Sequence, residues 1–78
     1  MKLEIITPST SIFSGEASLV QLPGLDGLFE VLEHHAPLVA ALKKGTLKVQ
    51  GKDNAVQCFE INGGVVEVLQ EKVLVLAE

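Results

Sequence analysis

The sequence predicts one all-β domain over residues 1–78, a flattened β-sandwich or barrel of about nine or ten short strands. Turn-forming residues recur about every ten positions, a spacing typical of sandwiches and barrels. The segments between the turns are rich in Val, Ile and Thr, whose branched Cβ atoms suit a pleated sheet better than a helix. A chain of 78 residues has room for a single hydrophobic core.

The turn signals divide the chain into the expected strands. They are Thr7-Pro8-Ser9, Ser14-Gly15, Pro23-Gly24, Asp26-Gly27, Lys44-Gly45, residues 51–54, Asn62-Gly63-Gly64 and Gln70-Glu71. Each combines residues that adopt turn dihedrals at low cost. Asn62-Gly63-Gly64 is interpreted as a hairpin turn, because a phosphate-binding loop needs a longer glycine-rich arc that leads into a helix.

Two kinds of strand are expected from the hydrophobic pattern. Residues 46–50 alternate cleanly, so that Leu47 and Val49 face a core and the other side is solvated. Residues 73–77 and 38–42 are apolar on both faces. Either a partner protein covers their outer face or they are central strands beneath a long loop, and residues 38–42 could instead form a short helix opened by Pro37. We predict that residues 38–42 are extended.

The charge balance argues against nucleic-acid binding. The chain has 10 acidic and 6 basic residues and no arginine, whereas a nucleic-acid module needs a basic patch to neutralise phosphates. Four of the lysines lie close together in sequence, and we interpret them as a solvated rim; they are Lys43, Lys44, Lys48 and Lys52. The acidic residue Glu4 near the start and the absence of a long apolar run predict neither a signal peptide nor a membrane span.

Few residues could carry chemistry. Cys58 is the only cysteine, so no internal disulfide can form, and its strand-like setting predicts a small core side chain. His34 and His35 point to opposite faces if the segment is a strand, and they cannot then bind one metal ion. We therefore expect no catalytic residue, metal, cofactor or nucleotide site. An enzyme that uses Cys58 with His35 would need the two within hydrogen-bond reach.

Three stretches of sequence carry a further signal. The first comprises residues 5–9, Phe13-Ser14-Gly15-Glu16-Ala17 and residues 20–24; the second comprises residues 27–38, with Gly27 and His35-Ala36-Pro37-Leu38; the third comprises residues 62–68 and 73–78. In this order and at these separations they resemble the N-terminal β-sandwich domain of the epsilon subunit of F-type ATP synthases. The sequence departs from that family's usual pattern at Glu30, Glu33, His34 and Lys44, where glycine, proline, glycine and proline are usual.

The resemblance implies a non-catalytic rotor subunit of the central stalk. Such a subunit links the gamma subunit to the c ring and couples proton-driven rotation to ATP synthesis. It lies peripherally at the cytoplasmic face of an energy-transducing membrane, such as the bacterial inner membrane, and meets the membrane only through the complex. Most family members continue into a pair of C-terminal helices that can brake ATP hydrolysis, and we expect no such brake from these 78 residues.

The resemblance also implies two contact regions. Residue by residue, it places Leu25, Asp26, Gly27 and Leu28 in the loop that meets the c ring, and His35, Pro37 and Ala40 on the edge that meets gamma. The alternative is a free-standing β-sandwich interaction or ligand-binding module. A ligand site of that kind favours aromatic platforms, and the chain has only three Phe and no Trp or Tyr.

Overall fold

The computed structural model of the chain describes residues 1–78 and contains nine β-strands and no helix. The strands are β1 (Lys2–Ile6), β2 (Ser11–Glu16), β3 (Leu19–Gly24), β4 (Gly27–Leu32), β5 (Leu38–Leu42), β6 (Gly45–Gln50), β7 (Val56–Ile61), β8 (Gly64–Val68) and β9 (Lys72–Ala77). The all-β prediction is confirmed, as is the extended conformation of residues 38–42. Because the structure has no helix, it has no helical segment that could span a bilayer.

The strands form two layers that are continuous at one corner. Their order is β2-β1-β9-β8-β5-β3-β6-β7, with β4 on the other side of β3. The pairing of β5 with β3 consists of a single position, Gly24 opposite Leu42, so the sheet divides there. We call β2, β1, β9, β8 and β5 the first layer, and β4, β3, β6 and β7 the second layer. Every pair is antiparallel except β1 with β9.

The core fills the space between the two layers. Fifteen hydrophobic side chains are buried there and no buried side chain is polar or charged. The largest fully buried side chains come from six different strands; they are Leu3, Ile5, Val20, Leu22, Val31, Leu47, Val66, Val73 and Val75. Leu47 and Val49 face this core, as their alternation predicted.

The predicted turn at Pro23-Gly24 lies inside β3, where these residues pair with Leu28 and Gly27 of β4. Two other predicted turns also have a different role in the structure. Asn62-Gly63-Gly64 is not a hairpin turn, because β7 pairs with β6 in the second layer whereas β8 pairs with β5 and β9 in the first. The segment carries the chain from one layer to the other. Ser14-Gly15 lies inside β2, opposite Glu4 and Leu3 of β1. In both cases the glycines allow a turn but do not require one. The pairing of distant strands decides whether the segment turns, crosses between layers or continues a strand.

Cys58 is exposed, so its predicted place in the core was wrong. In the β6–β7 pair Leu47 lies opposite Phe59, and Lys48 lies opposite Cys58. Because side chains alternate between the faces of a strand, the inward position goes to Phe59 and Cys58 shares the solvated face with Lys48. Phe59 meets Phe13 of β2 edge to face, with ring centroids 5.7 Å apart.

Gly64 allows β8 to begin directly against β9. Its φ is +144°, a value that side chains with a Cβ rarely adopt. A Cβ on this residue would lie 2.2 Å from the carbonyl oxygen of Leu76, which belongs to the backbone of the neighbouring strand. The close approach of two central strands therefore depends on glycine at this position.

We expect Gly64→Ala to lower the free energy of unfolding by about 2 kcal/mol or more, because β9 must shift to admit the methyl group. Gly15→Ala is the matched control, since its Cβ would meet the Phe13 ring at an ordinary 3.4 Å. Urea denaturation of both variants measures the difference. Equal stability of the two variants would contradict this account of Gly64.

Candidate protein-interaction surface

The outer face of the first layer carries a row of apolar side chains. Ile6 lies opposite Leu76, Leu76 opposite Val65, and Val65 opposite Ala41, so the four stand side by side across β1, β9, β8 and β5. Leu76 is 45% exposed and Val65 is 39% exposed. We call these four residues the apolar row. Contiguous apolar side chains on a sheet surface are typical of a protein-protein contact.

A second row runs beside the first and includes carboxylates. Glu4 lies opposite Leu74, Leu74 opposite Glu67, and Glu67 opposite Val39, which is 68% exposed. The Lys72 Nζ atom lies 2.6 Å from Glu4 Oε1. The hydrogen bond and the charge of Lys72 hold the pKa of Glu4 below its ordinary value of 4.5. The outer face of the first layer is therefore mostly apolar, with charge confined to a few positions.

A groove of about 380 Å³ lies where the β3–β4 turn approaches β5. It is lined by Gly24, Leu25, Asp26, Gly27, Phe29, Leu38, Val39, Ala40 and Ala41. Asp26 is the only charged residue among them. The Leu25 N–H donates a hydrogen bond to the Ala41 carbonyl oxygen at 3.1 Å, and this bond holds the turn against β5. Through Ala41 the groove is continuous with the apolar row.

The structure brings together the four residues that were predicted to face the c ring. Gly24 and Gly27 are paired across the β3–β4 hairpin, Leu25 and Asp26 form its turn, and Leu28 follows in β4. Gly27 has a φ of +131°, which the tight reversal of the chain requires. Leu25 is 61% exposed and Leu28 is 68% exposed. The tip of this hairpin thus presents two large apolar side chains and one carboxylate to solvent.

The three residues that were predicted to face gamma do not form one cluster. His35 and Pro37 lie in the β4–β5 loop, where the His35 N–H donates to the Leu32 carbonyl oxygen at 3.2 Å. Ala40 is half-buried in β5 and faces the core side of the first layer. It shares the groove with Leu25, Asp26 and Gly27, whereas His35 and Pro37 do not line that groove. The outward-facing residues of β5 are Val39 and Ala41.

Sequence reasoning missed Ile6 and Val65 as surface residues. The sequence did indicate that Leu76 could lie on a partner-facing surface. Residues 73–77 are apolar on both faces, and a partner protein over their outer face was one of the two explanations given for that pattern. Ile6 and Val65 gave no such signal, because each belongs to a different strand and only the pairing with β9 places them beside Leu76.

Two of the departures from the resembled family have a local structural account. The Glu33 carboxylate pairs with the Met1 amino group, and this hydrogen bond holds the pKa of Glu33 below its ordinary value. The same amino group donates to the Ala17 carbonyl oxygen at 3.0 Å. His34 has a φ of +64°, the left-handed conformation that glycine adopts most easily. The backbone at position 34 thus has the conformation that glycine would adopt there, although the residue is histidine.

The candidate reactive residues are not brought together. The His35 Nδ1 atom is hydrogen-bonded to the Ala36 carbonyl oxygen at 2.7 Å, and Cys58 lies exposed in β7. No group of three His, Cys, Asp or Glu side chains is arranged to hold a metal ion.

Comparison with known proteins adds a family match over the whole chain. A family model for the β-sandwich domain of the ATP synthase delta/epsilon chain matches residues 1–78. The ATP synthase epsilon chain of Chlorobium limicola is 47% identical over 77 residues, which cover 99% of this chain and 88% of that relative. The ATP synthase epsilon chain of Sulfurimonas denitrificans is 46% identical over 78 residues, which cover 60% of that relative.

Two solved structures share the fold. A chain in the Euglena gracilis mitochondrial ATP synthase matches with a TM-score of 0.90 and 22% identity, over 96% of this chain and 48% of that chain. A chain in the central stalk and c-ring structure of the Tetrahymena thermophila mitochondrial ATP synthase matches with a TM-score of 0.81 and 16% identity, over 97% of this chain and 61% of that chain. The strands described here therefore correspond to part of each of those longer chains.

The ion pair of Glu4 with Lys72 predicts a pH-dependent contribution to stability. Because the folded-state pKa of Glu4 is depressed, this contribution is present above about pH 4.5 and is lost as the pH falls through the lower folded-state pKa. We therefore expect the free energies of unfolding of wild type and Glu4→Gln to differ most near neutral pH and to converge in acid. Glu71→Gln, in an exposed turn, is the control. A difference that stays constant with pH would contradict the assignment.

Proposed function

This chain belongs to the family of the β-sandwich domain of the ATP synthase delta/epsilon chain, and we propose that it is a non-catalytic central-stalk subunit of an F-type ATP synthase. In this role it links the gamma subunit to the c ring, so that rotation of the ring reaches gamma as torque. The observation that carries the proposal is the exposed apolar surface of the first layer in a domain of this family. An apolar face of this kind is stabilised when a partner covers it.

The tip of the β3–β4 hairpin and the β4–β5 loop lie at opposite ends of β4, whereas Ala40 lines the groove beside the hairpin. We assign the tip of the β3–β4 hairpin, with Leu25, Asp26, Gly27 and Leu28, to the c ring. The gamma side comprises the apolar row together with the loop that carries His35 and Pro37, and Ala40 supports that side from within β5. The hairpin is held against β5 by the hydrogen bond from Leu25 to Ala41, and this bond supports a rigid connection between the two sides.

A linker that transmits torque needs stiffness more than reactivity. Each strand of the domain is hydrogen-bonded to at least one neighbour, and the two layers share a wholly apolar core. A close-packed interior of this kind resists deformation. The domain would sit at the cytoplasmic face of the energy-transducing membrane and contact the membrane only through its partners. The family match over the whole chain favours this role over a free-standing interaction or ligand-binding module.

We expect the 78-residue chain to restore coupling in an F-type ATP synthase from which the epsilon subunit has been removed. Proton-driven ATP synthesis should rise several-fold on addition of the chain, because gamma and the ring are joined again. ATP hydrolysis should not be inhibited through extended helices, because all the regular structure of these residues is strand. Synthesis and hydrolysis assays on reconstituted vesicles measure both effects. No gain in synthesis would contradict the proposed role.

The assignment of two sides is tested by the same substitution at two exposed leucines. Leu28→Ser should weaken binding to the c ring and leave gamma binding intact, and Leu76→Ser should do the reverse. Truncation of an apolar side chain at the centre of an interface weakens binding by about tenfold or more. Neither side chain is buried in the free domain, since Leu28 is 68% exposed and Leu76 is 45% exposed, so the free energy of unfolding should change by no more than about 1 kcal/mol.

Affinities for purified gamma and for isolated c ring, measured for both variants, decide between the arrangements. Equal losses on both sides for either variant would show that the two surfaces are not separate.

A further inference from the structure

Glu67 is the unusual residue on the outer face of the first layer. It is the penultimate residue of β8 and points away from the core, since its neighbours Val66 and Val68 are buried. Across the strands it stands between Val39 of β5 and Leu74 of β9. Along its own strand the next residue on the same face is Val65. The carboxylate is therefore flanked by Val39, Val65 and Leu74. On the same face Lys72 of β9 lies diagonal to it and is paired with Glu4.

The chain itself supplies no partner for this carboxylate. The ion pairs in the structure join the Met1 amino group to Glu16 and Glu33, Lys52 to Glu16, and Lys72 to Glu4. Glu4 stands in the same row as Glu67, one strand beyond Leu74, and its charge is met by Lys72 at 2.6 Å. The two carboxylates thus share a face but differ in one respect, which is that the half-buried Glu67 has no ion pair within the chain.

Covering this face has a different consequence for each carboxylate. A partner surface laid over the apolar row would also remove water from Glu67, because the apolar row and Glu67 are adjacent in β8. Burial of an ionised carboxylate without a compensating cation is strongly unfavourable. A partner that binds here must therefore supply compensating groups to Glu67, and a Lys or Arg side chain does so most strongly, whereas Glu4 already has Lys72.

We propose that Glu67 is a specificity-determining residue of the gamma-facing surface, and that it pairs with one Lys or Arg of the gamma subunit. The proposal rests on the proposed function for the identity of the partner. The surface of gamma that faces the apolar row is then aliphatic, and it carries a single basic side chain opposite Glu67. The apolar contacts supply most of the affinity, and the ion pair sets the register of the two surfaces and excludes partners that lack the cation.

The test uses the gamma subunit from the ATP synthase of the same organism as the probe. We expect Glu67→Gln to weaken the affinity for gamma by at least about 30-fold, and Glu67→Lys to weaken it further, because a basic residue of gamma is left without its counter-charge. Glu71→Gln removes the same charge from the β8–β9 turn and should change the affinity by no more than about twofold. Thermal midpoints of the free domains show whether each variant is folded.

Charge reversal in gamma separates an ion pair from a structural effect. One Lys→Glu or Arg→Glu substitution in gamma should restore binding to Glu67→Lys while weakening binding to wild type. Wild-type affinity in Glu67→Gln would overturn the inference and leave the proposed function standing. Loss of binding that no charge reversal restores would also overturn it. No binding of wild type to gamma would overturn the proposed function itself.

Discussion

The close packing of two strand layers around a wholly apolar core is the constraint on which the rest of this structure depends. No buried side chain is polar or charged, so the core contains no side-chain hydrogen bond or ion pair that could set the register of a strand. Register follows instead from which alternate residues can be buried, and a slip by one position would expose every core side chain of that strand. The residues that point into the core, among them Leu3, Val66 and Val75, thereby determine which residues point outward as well.

The outer face of the first layer is a direct consequence of that packing. Once Val66 and Val75 face inward, Val65, Glu67, Leu74 and Leu76 must face outward, whatever their polarity. The same rule places Cys58 beside Lys48 in solvent on the second layer. A surface that is apolar in the free domain is thus built by the core, and its exposure is what connects the fold to the proposed role as a linking subunit.

The departures from the resembled family lie where the core has little influence. Glu30, Glu33, His34 and Lys44 are all exposed, and three of them lie at or beyond the end of a strand. At position 34 the backbone keeps the left-handed conformation although the residue is histidine, and at position 33 the new carboxylate is paired with the Met1 amino group. The fold therefore tolerates these four departures, and none of them is a residue of the apolar row.

The sequence by itself determined the all-β class, the inward direction of Leu47 and Val49, and the extended form of residues 38–42, because these follow from local alternation and local turn chemistry. Only the tertiary structure decided that Asn62-Gly63-Gly64 crosses between layers and that Cys58 is exposed. It also decided that Ile6, Leu76, Val65 and Ala41 form one row. These features depend on the pairing of strands far apart in the chain, above all the parallel pairing of β1 with β9, and local alternation carries no information about which strands become neighbours.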